Sequence, residues 1–264
     1  MTQIEEFACA IQNSSRIVFF GGAGVSTESG LKDYRSADGI YKTATDYGMP
    51  PEEILHIRCF ETNPELFYRF FRDFFVNEAE PNDTHKALVR LEQAGKQVSV
   101  VTQNIDGLHQ KAGSSTVYEL HGTTSRFHCV FCGKEYGIDR LKNSETVIPH
   151  CSCGGILKPY VTLYGEMLED SVVEGAINAI SNADLLIIGG TSLAVQPAAS
   201  FVRYFHGDST VIINKESTAY DSLADIVFHD RLGNVFAETM KQLNLYNRWM
   251  LNCLSVSLIR RIRL

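Results

Sequence analysis

Four of the seven cysteines, Cys129, Cys132, Cys151 and Cys153, lie within 25 residues of sequence. Two close pairs of thiolates at this separation are typical of a zinc ion held by four sulfur atoms. The second pair has the short spacing C-x-C, and the glycines at 154–155 would relieve the strain of that turn. A set of buried free thiols is the alternative, but the clustering argues against it. Four protein ligands leave no open coordination position, so the predicted zinc is structural rather than catalytic.

Two histidines adjoin this cluster and are alternative zinc ligands. His128 precedes the first cysteine and His150 precedes the third. Imidazole and thiolate both bind zinc well, so a mixed site has the right chemistry. We expect the four thiolates to be the ligands, because they already complete a closed site.

A second group of reactive side chains follows the apolar run that ends near residue 102. It consists of Gln103, Asn104, Ile105 and Asp106, in the sequence "VVTQNIDGLHQKAG". The tip of a strand in an α/β sheet is a usual place to hold a ligand, and a buried carboxylate there needs a partner or a task. His121 ends another short strand, "STVYELHG", and could line the same cavity. It is a candidate general base, although a lone histidine at a strand end is more often structural.

A third feature is the glycine turn in "RIVFFGGAGVSTESG". A strand, a glycine turn and a helix start can bind phosphate, because free backbone N–H groups and the helix dipole face the ligand. The match to the dinucleotide pattern is incomplete, since no third glycine follows Gly22 and Gly24 at the usual spacing. A tight strand-to-helix turn without a ligand remains the alternative. The acidic residue that usually holds the adenosine ribose is not evident, which disfavours a hydride-transfer dehydrogenase.

These groups need a sheet whose strand ends meet at one edge. Short apolar strands alternate with helices along most of the chain, which predicts a doubly wound parallel sheet of the Rossmann-like α/β class. The alternation is interrupted at 37–84 and at 125–158. We expect the two insertions to form a small helical and zinc-binding domain, with a cleft between it and the large domain. The large domain would comprise 1–36, 85–124 and 159–245, followed by an extension at 246–264.

Three local expectations follow from the patterns. Residues 4–12 read as an amphipathic helix. The helix in "HKALVRLEQAG" should end at Gly95, with Asp83 or Thr84 as its N-cap. The segment "PYVTLYGE" should be extended.

Composition restricts the function further. The chain has 264 residues, 44% of them apolar, a formal net charge of -7 and a pI of about 5.6. No basic face is implied, so we expect no nucleic-acid partner. No apolar run approaches the roughly 20 residues of a membrane span, and the start shows no secretory pattern. Seven cysteines without an export signal favour thiols or metal over disulfides, and hence a cytoplasmic location. Nothing indicates the oligomeric state.

The ordered set of motifs resembles the sirtuin family of NAD-dependent protein-lysine deacylases. The resemblance rests on "GAGVSTESG", "DYRSADGIY", "TQNIDGLH", "ELHG", the four cysteines, "YVTLYGE", "GGTSLAVQPAA" and "IINKE", and covers about residues 16–240. It implies a Rossmann-like domain with a small helical and zinc domain, NAD as co-substrate, one structural zinc, and an acyl-lysine peptide or protein as partner.

The resemblance also implies roles for individual residues. His121 would be the general base, and Asn104 would orient a water molecule and the ribose. The carboxamide of nicotinamide would bind Asp106 and the backbone of Ile105. The implied NAD-binding residues are Ala23, Thr27, Tyr34, Arg35, Gln103, Ile105, Asp106, Thr191, Ser192, Asn214, Lys215 and Arg231. The implied substrate-binding residues are Val161, Tyr164, Gly165, Glu166, Leu193 and Val195.

The implied reaction cleaves the bond between ribose and nicotinamide and transfers the acyl group of lysine to ADP-ribose. The desuccinylating branch of the family carries Tyr and Arg three residues apart, whereas here Tyr68 is followed at that spacing by Phe71. Neutral acyl groups, acetyl foremost, are therefore the expected substrates. Lys32 and Thr162 also depart from the usual proline and valine. Two other functions stay open, a mono-ADP-ribosyltransferase and a non-catalytic module that binds NAD or ADP-ribose.

Overall fold

A computed structural model describes residues 1–33, 39–43, 47–76 and 78–243. Within these residues the chain forms one six-stranded sheet, ordered β3-β2-β1-β7-β8-β9, and one three-stranded sheet, ordered β5-β4-β6. Every pairing in the large sheet is parallel, and both pairings in the small sheet are antiparallel. The strands are β1 Arg16–Gly21, β2 Gln97–Thr102, β3 Val117–Glu119, β4 Gly122–Cys129, β5 Glu135–Gly137, β6 Leu157–Val161, β7 Leu185–Gly189, β8 Ser209–Ile213 and β9 Ile226–Phe228.

Helices cover both faces of the large sheet. The α-helices of the described residues, of which α4, α5, α6 and α9 pack in a separate core with the small sheet, are α1 Gln3–Asn13, α2 Ala23–Ser26, α3 Ile40–Thr43, α4 Pro51–Ile54, α5 Ile57–Thr62, α6 Pro64–Phe75, α7 Asp83–Gln93, α8 Leu108–Ala112, α9 Asp139–Lys142 and α10 Asp170–Ser181. Short 3-10 helices occupy Thr27–Ser29, Ala198–Tyr204 and Asp221–Leu223, and residues 232–243 are helical. No helix in this part of the chain has the length and hydropathy needed to span a bilayer.

Alternation along β1 divides the core into two layers. Ile17 and Phe19 join one buried cluster, whereas Val18 and Phe20 join the other. All five residues of β7 are buried, as expected for a central parallel strand covered by helices on both faces. The predicted doubly wound sheet is therefore confirmed. The short strand β9, which the sequence analysis did not anticipate, extends its edge.

Helix α1 agrees with the sequence prediction, but the cap of α7 lies one residue before Asp83 and two residues before Thr84, the two predicted positions. The N-cap is Asn82, whose side chain accepts hydrogen bonds from the backbone N–H groups of Thr84 and His85. The helix ends at Gln93, close to the predicted end at Gly95. Asn82 was missed because Asp83 and Thr84 are equally good cap residues by type, and only the backbone geometry selects among them.

A second core lies against the small sheet. It is built from the aromatic face of α6, in which Phe67, Tyr68 and Phe71 are fully buried, and from Phe127 of β4 and Leu157 of β6. Strand β4 begins three residues before the expected start of the insertion at 125–158, and strand β6 ends three residues after its expected end.

Candidate functional site

A cavity of about 490 Å³ lies at the carboxyl ends of the parallel strands. One wall consists of residues that directly follow β1, β2, β3, β7 and β8, because parallel strands place these ends at the same edge. The opposite wall comes from α6 and from the chain after β6. The lining residues include Gly22, Ala23, Gly24, Thr27, Gln103, Asn104, Ile105, His121, Thr191, Ser192, Asn214, Lys215, Arg231, Phe71, Phe75, Val161, Leu163, Tyr164, Gly165, Glu166 and Val195.

The glycine turn after β1 packs against the turn after β7. The backbone N–H of Gly24 donates to the carbonyl of Gly190 at 2.8 Å, and a Cβ on Gly24 would lie 2.8 Å from the Cα of Gly190. Only a residue without a side chain permits this approach. The two turns therefore form a continuous backbone floor for the cavity.

The strand tip after β2 is held by a buried hydrogen-bond network. Asn104 donates through Nδ2 to the carbonyl of Gly22 and to Oγ of Ser26, both at 3.0 Å. Ser26 donates to Oδ2 of Asp106 at 2.6 Å, and the backbone N–H of Leu108 donates to its Oδ1 at 2.9 Å. Burial raises the pKa of Asp106, and these two hydrogen bonds partly oppose the rise. The carboxylate at the strand tip is thus partnered inside the protein.

His121 has a defined tautomer. Its Nδ1 lies 2.9 Å from the carbonyl oxygen of Gln103. Because a carbonyl only accepts, Nδ1 carries the proton and Nε2 is left as the basic nitrogen. Burial lowers the pKa of His121 below its ordinary value, with the bond to Gln103 opposing the shift. The imidazole is therefore neutral at physiological pH and able to accept a proton in the cavity.

Most of the described residues that were predicted for catalysis, NAD binding or substrate binding line this cavity. Two do not, Asp106 and Leu193. Asp106 stands behind the wall and acts on it through Ser26, a residue that the sequence analysis missed. Asp33 and Tyr41 line the cavity and were also missed. Tyr34 and Arg35 lie outside the described residues.

Leu193, predicted to bind substrate, has a side chain that packs in the core and does not line the cavity. Its side chain is 3% exposed and packs in the core cluster that contains Phe20 and Ile188. Its backbone has φ of 53°, and its N–H donates to Oγ1 of Thr191 at 3.1 Å. This tight turn directs the side chain of Leu193 into the core, so the backbone is the part of the residue that remains for a contact with substrate.

The chain after β6 is only partly extended, contrary to the expectation for "PYVTLYGE". Strand β6 ends at Val161, and 163–166 form a turn in which the N–H of Glu166 donates to the carbonyl of Leu163 at 3.0 Å. Tyr164 bonds through its backbone N–H to Leu55 and through its carbonyl to Ile57, both at 3.0 Å. The wall is thereby attached to the connection between α4 and α5.

The apolar end of the cavity contains Phe71 and Phe75. The nearby guanidinium of Arg72 donates to the carbonyls of Val147 at 3.1 Å and Thr146 at 3.0 Å. Arg69 forms an exposed pair with Glu65 on the same helix.

The four cysteines converge as predicted, with their Sγ atoms all within 4.8 Å of one another. The separations are 3.4 Å for Cys129–Cys153, 3.6 Å for Cys132–Cys151 and 3.5 Å for Cys132–Cys153. Zinc–sulfur bonds of about 2.3 Å in a tetrahedron place sulfur atoms about 3.8 Å apart, so the cluster fits one zinc ion.

Neither neighbouring histidine joins the cysteine cluster. His128 packs its ring on Tyr160, with the ring centroids 4.9 Å apart. His150 bonds through Nδ1 to the carbonyl of Ile148 at 2.9 Å. The cluster in the described part of the chain consists of four thiols, which resolves the alternative ligand sets in favour of cysteine.

A parallel α/β sheet with a cavity of about 490 Å³ at its carboxyl edge, together with a small sheet whose four cysteines could hold a zinc ion, is the arrangement of a nucleotide-binding α/β protein with a metal site. A profile of the Sir2 family matches residues 22–197. An NAD-dependent protein deacetylase of Clostridium acetobutylicum is 49% identical over 237 residues, which are 89% of this chain and 97% of that protein. Its counterpart from Clostridium perfringens is 50% identical over 233 residues, 87% of this chain and 95% of that protein. The chain belongs to the Sir2 family.

Solved structures agree with this assignment. A Sir2 structure with a p53 peptide and NAD+ superposes with a TM-score of 0.81 and 34% identity, covering 93% of this chain and 100% of that one. A Sir2 structure bound to acetylated peptide gives a TM-score of 0.78 and 32% identity, covering 92% and 98%.

Proposed function

We propose that this protein removes acyl groups, chiefly acetyl, from lysine side chains of proteins, with NAD as co-substrate and nicotinamide and O-acyl-ADP-ribose as products. The observation that carries the proposal is the neutral His121, which lines a cavity between a backbone floor and an apolar wall. Membership of the Sir2 family and the named activity of the Clostridium relatives support it.

We propose that NAD binds along the strand-end wall. The residues that would hold it are Ala23, Thr27, Gln103, Ile105, Thr191, Ser192, Asn214, Lys215 and Arg231, all at the cavity surface, with Tyr34 and Arg35 proposed from the resemblance alone. When bound, NAD supplies a cleavable bond between ribose and nicotinamide and the ribose that accepts the acyl group. Gly22 and Gly24 let the backbone approach the ligand closely.

Side chains and backbone groups at the strand ends would act as the general base and orient the ligand. His121 takes a proton from a ribose hydroxyl at Nε2, because the Gln103 carbonyl keeps the proton on Nδ1. Asn104 holds the strand tip against Gly22 and would orient the ribose and a water molecule. The backbone of Ile105 and, through Ser26, Asp106 would shape the nicotinamide end. A general base in this position typically contributes about 10²–10⁴-fold in rate.

We propose that the acyl-lysine enters along the wall formed by Val161, Tyr164, Gly165, Glu166 and Val195. A peptide would add to this wall by main-chain hydrogen bonds, a mode that gives affinity with little dependence on sequence. Since the backbone of Tyr164 already bonds to the α4–α5 connection, its neighbours would supply these bonds.

The four cysteines would hold one zinc ion with a structural role. The cluster has thiolates as donors and the right separations, and it includes no acid or histidine from the described residues. We further propose that the small sheet, α3–α6 and α9 form the small domain at 37–84 and 125–158, and that the enzyme acts in the cytoplasm, where thiols stay reduced.

Mass spectrometry of the protein incubated with NAD and an acetyl-lysine peptide tests the function. The expected result is nicotinamide, the deacetylated peptide and O-acetyl-ADP-ribose in equal amounts. ADP-ribose attached to a protein or peptide would instead identify a mono-ADP-ribosyltransferase. NAD left intact by a protein that still binds it would identify a binding module.

A further inference from the structure

The turn that carries the substrate wall is organised by one carboxylate oxygen. Oε2 of Glu166 accepts the backbone N–H of Leu163 at 2.8 Å, while the N–H of Glu166 donates to the carbonyl of Leu163 at 3.0 Å. Gly165 has φ of 88°, and a Cβ there would lie 2.7 Å from Cε1 of His56. Two hydrogen bonds between Leu163 and Glu166 thus close the turn, one to the side chain of Glu166 and one from its backbone.

Lys158 completes this arrangement from strand β6. Its ammonium donates to the same Oε2 of Glu166 at 3.0 Å and to the carbonyl of Val161 at 3.2 Å. The side chains of Lys158 and Glu166 are 12% and 27% exposed. Among the ion pairs between the described residues, this is the most shielded from water, so it is weakened least by solvent.

The position of these bonds matters because of what they join. Val161, Leu163 and Glu166 all line the cavity, whereas Lys158 itself does not. The lysine thus connects the last residue of β6 to the far side of the turn, and it fixes the distance between them. Without the ammonium of Lys158, the Glu166 side chain can turn toward water, where its carboxylate is better solvated. The N–H of Leu163 then loses its fixed hydrogen-bond acceptor.

We infer that Lys158 is a positioning residue for the acyl-lysine peptide, acting through Glu166 on the wall at 161–166. This inference rests on the proposed function, since it assigns the peptide to that wall. It separates peptide binding from NAD binding, because the residues proposed for NAD lie on the strand-end wall.

The decisive experiment compares Lys158→Met with Lys158→Arg in the full-length protein. Methionine keeps the apolar stem and removes the charge, whereas arginine restores both. We expect the KM for an acetyl-lysine peptide to rise about tenfold in Lys158→Met, with kcat and the KM for NAD within about twofold of the parent. Lys158→Arg should recover most of the loss. The matched control is Lys142→Met, which removes an ion pair with the exposed Glu78 and should leave all three constants unchanged.

Hydrogen exchange provides a readout that does not depend on activity. The amide of Leu163 should exchange faster in Lys158→Met than in the parent or the control, while amides in β1 and β7 keep their protection. An unchanged peptide KM with an unchanged Leu163 amide would overturn the inference. Parallel losses in kcat, both KM values and zinc content would also overturn it, because they indicate general destabilisation. If the parent protein does not deacetylate the peptide, the proposed function has failed, and exchange at Leu163 alone decides whether Lys158 holds the turn.

Discussion

The cysteine cluster and the cavity are assembled in opposite ways. The four thiolates come from 25 consecutive residues and meet through two local turns. The cavity draws its wall from the ends of five parallel strands and from α6, which are distant in sequence. A local site depends on spacing, whereas the cavity depends on strand order and register. A substitution in the cysteine cluster should therefore lower the stability of the protein. A substitution in the cavity should lower catalytic activity and leave the fold intact.

Replacing His121 should cause the largest change in activity. His121→Gln removes the base without adding bulk, and we expect kcat to fall about 10³-fold because proton abstraction loses its acceptor. Steady-state kinetics with an acetyl-lysine peptide measure this change, and circular dichroism and zinc content should match the parent. His206→Gln, at an exposed position, is the control. Turnover within tenfold of the parent would contradict the assignment of the base.

Cys151→Ala should produce the opposite pattern. Loss of one ligand weakens zinc binding and destabilises the small sheet by several kcal/mol, because structural zinc contributes directly to folding. We expect about one zinc per chain in the parent, little in the variant, and a lower thermal midpoint. Cys9→Ala, on α1 and away from the cluster, should keep both zinc and stability. A metal-free variant with the parent's thermal midpoint would show that the cluster is not a structural site.

The acyl group tests the apolar end of the cavity. Butyryl-lysine and succinyl-lysine have four-carbon chains, but only the second carries a carboxylate. We expect kcat/KM to be at least about 10²-fold lower for succinyl, because the carboxylate would meet Phe71 and Phe75, and among the described residues no cation lines the cavity from α6 or from the chain after β6. Arg72→Ala should leave the ratio unchanged, since that guanidinium is bonded to the carbonyls at 146–147. Equal rates for the two chains would contradict this reading of the cavity.

A smaller effect is expected on the stability of the protein at acid pH, because of two buried histidines. His85 and His109 are buried with ring centroids 4.6 Å apart, and burial lowers the pKa of His85 to about 4 and of His109 to about 3. As pH falls below about 6.5 the unfolded chain takes up protons that the folded chain refuses, so stability is lost. Glu119 opposes the loss, because burial raises its pKa to about 6. We expect the free energy of unfolding to fall by about 2 kcal/mol from pH 7.5 to 5.5.

Denaturant titrations at the two pH values measure this loss, with zinc content followed in the same samples. His85→Gln retains an acceptor for the N–H of Asn82 but cannot titrate. Because Glu119 still opposes the remaining loss from His109, the pH dependence of this variant should be about one third as steep. A loss of stability that follows zinc release instead, and is equal in the parent and in His85→Gln, would assign the acid sensitivity to the cysteine cluster.

The sequence predicted best what depends on local pattern. The strands β1, β2, β7 and β8 follow from short, mostly apolar segments between helices, and the zinc site follows from cysteine spacing. The residues near the cavity followed because parallel strands share an edge. The burial of the Leu193 side chain could not be predicted, because its left-handed backbone turns the side chain away from the direction expected in an extended segment. Ser26 was missed because the sequence around a serine after a glycine turn does not show whether its hydroxyl donates to a buried carboxylate, as it does to Asp106, or faces solvent.

Gly122 follows the base directly and has φ of 74°. A Cβ there would lie 1.9 Å from the carbonyl oxygen of Tyr160, so only glycine permits these two segments of the chain to approach so closely. On one side of this crossing the chain belongs to the parallel sheet, and on the other it begins β4 of the small sheet. The carbonyl of His121 also accepts the N–H of Thr162 at 2.9 Å. His121 therefore lies at the junction between the two sheets. If the small sheet rotates about this junction when substrate binds, residues far from the junction are displaced most and His121 is displaced least.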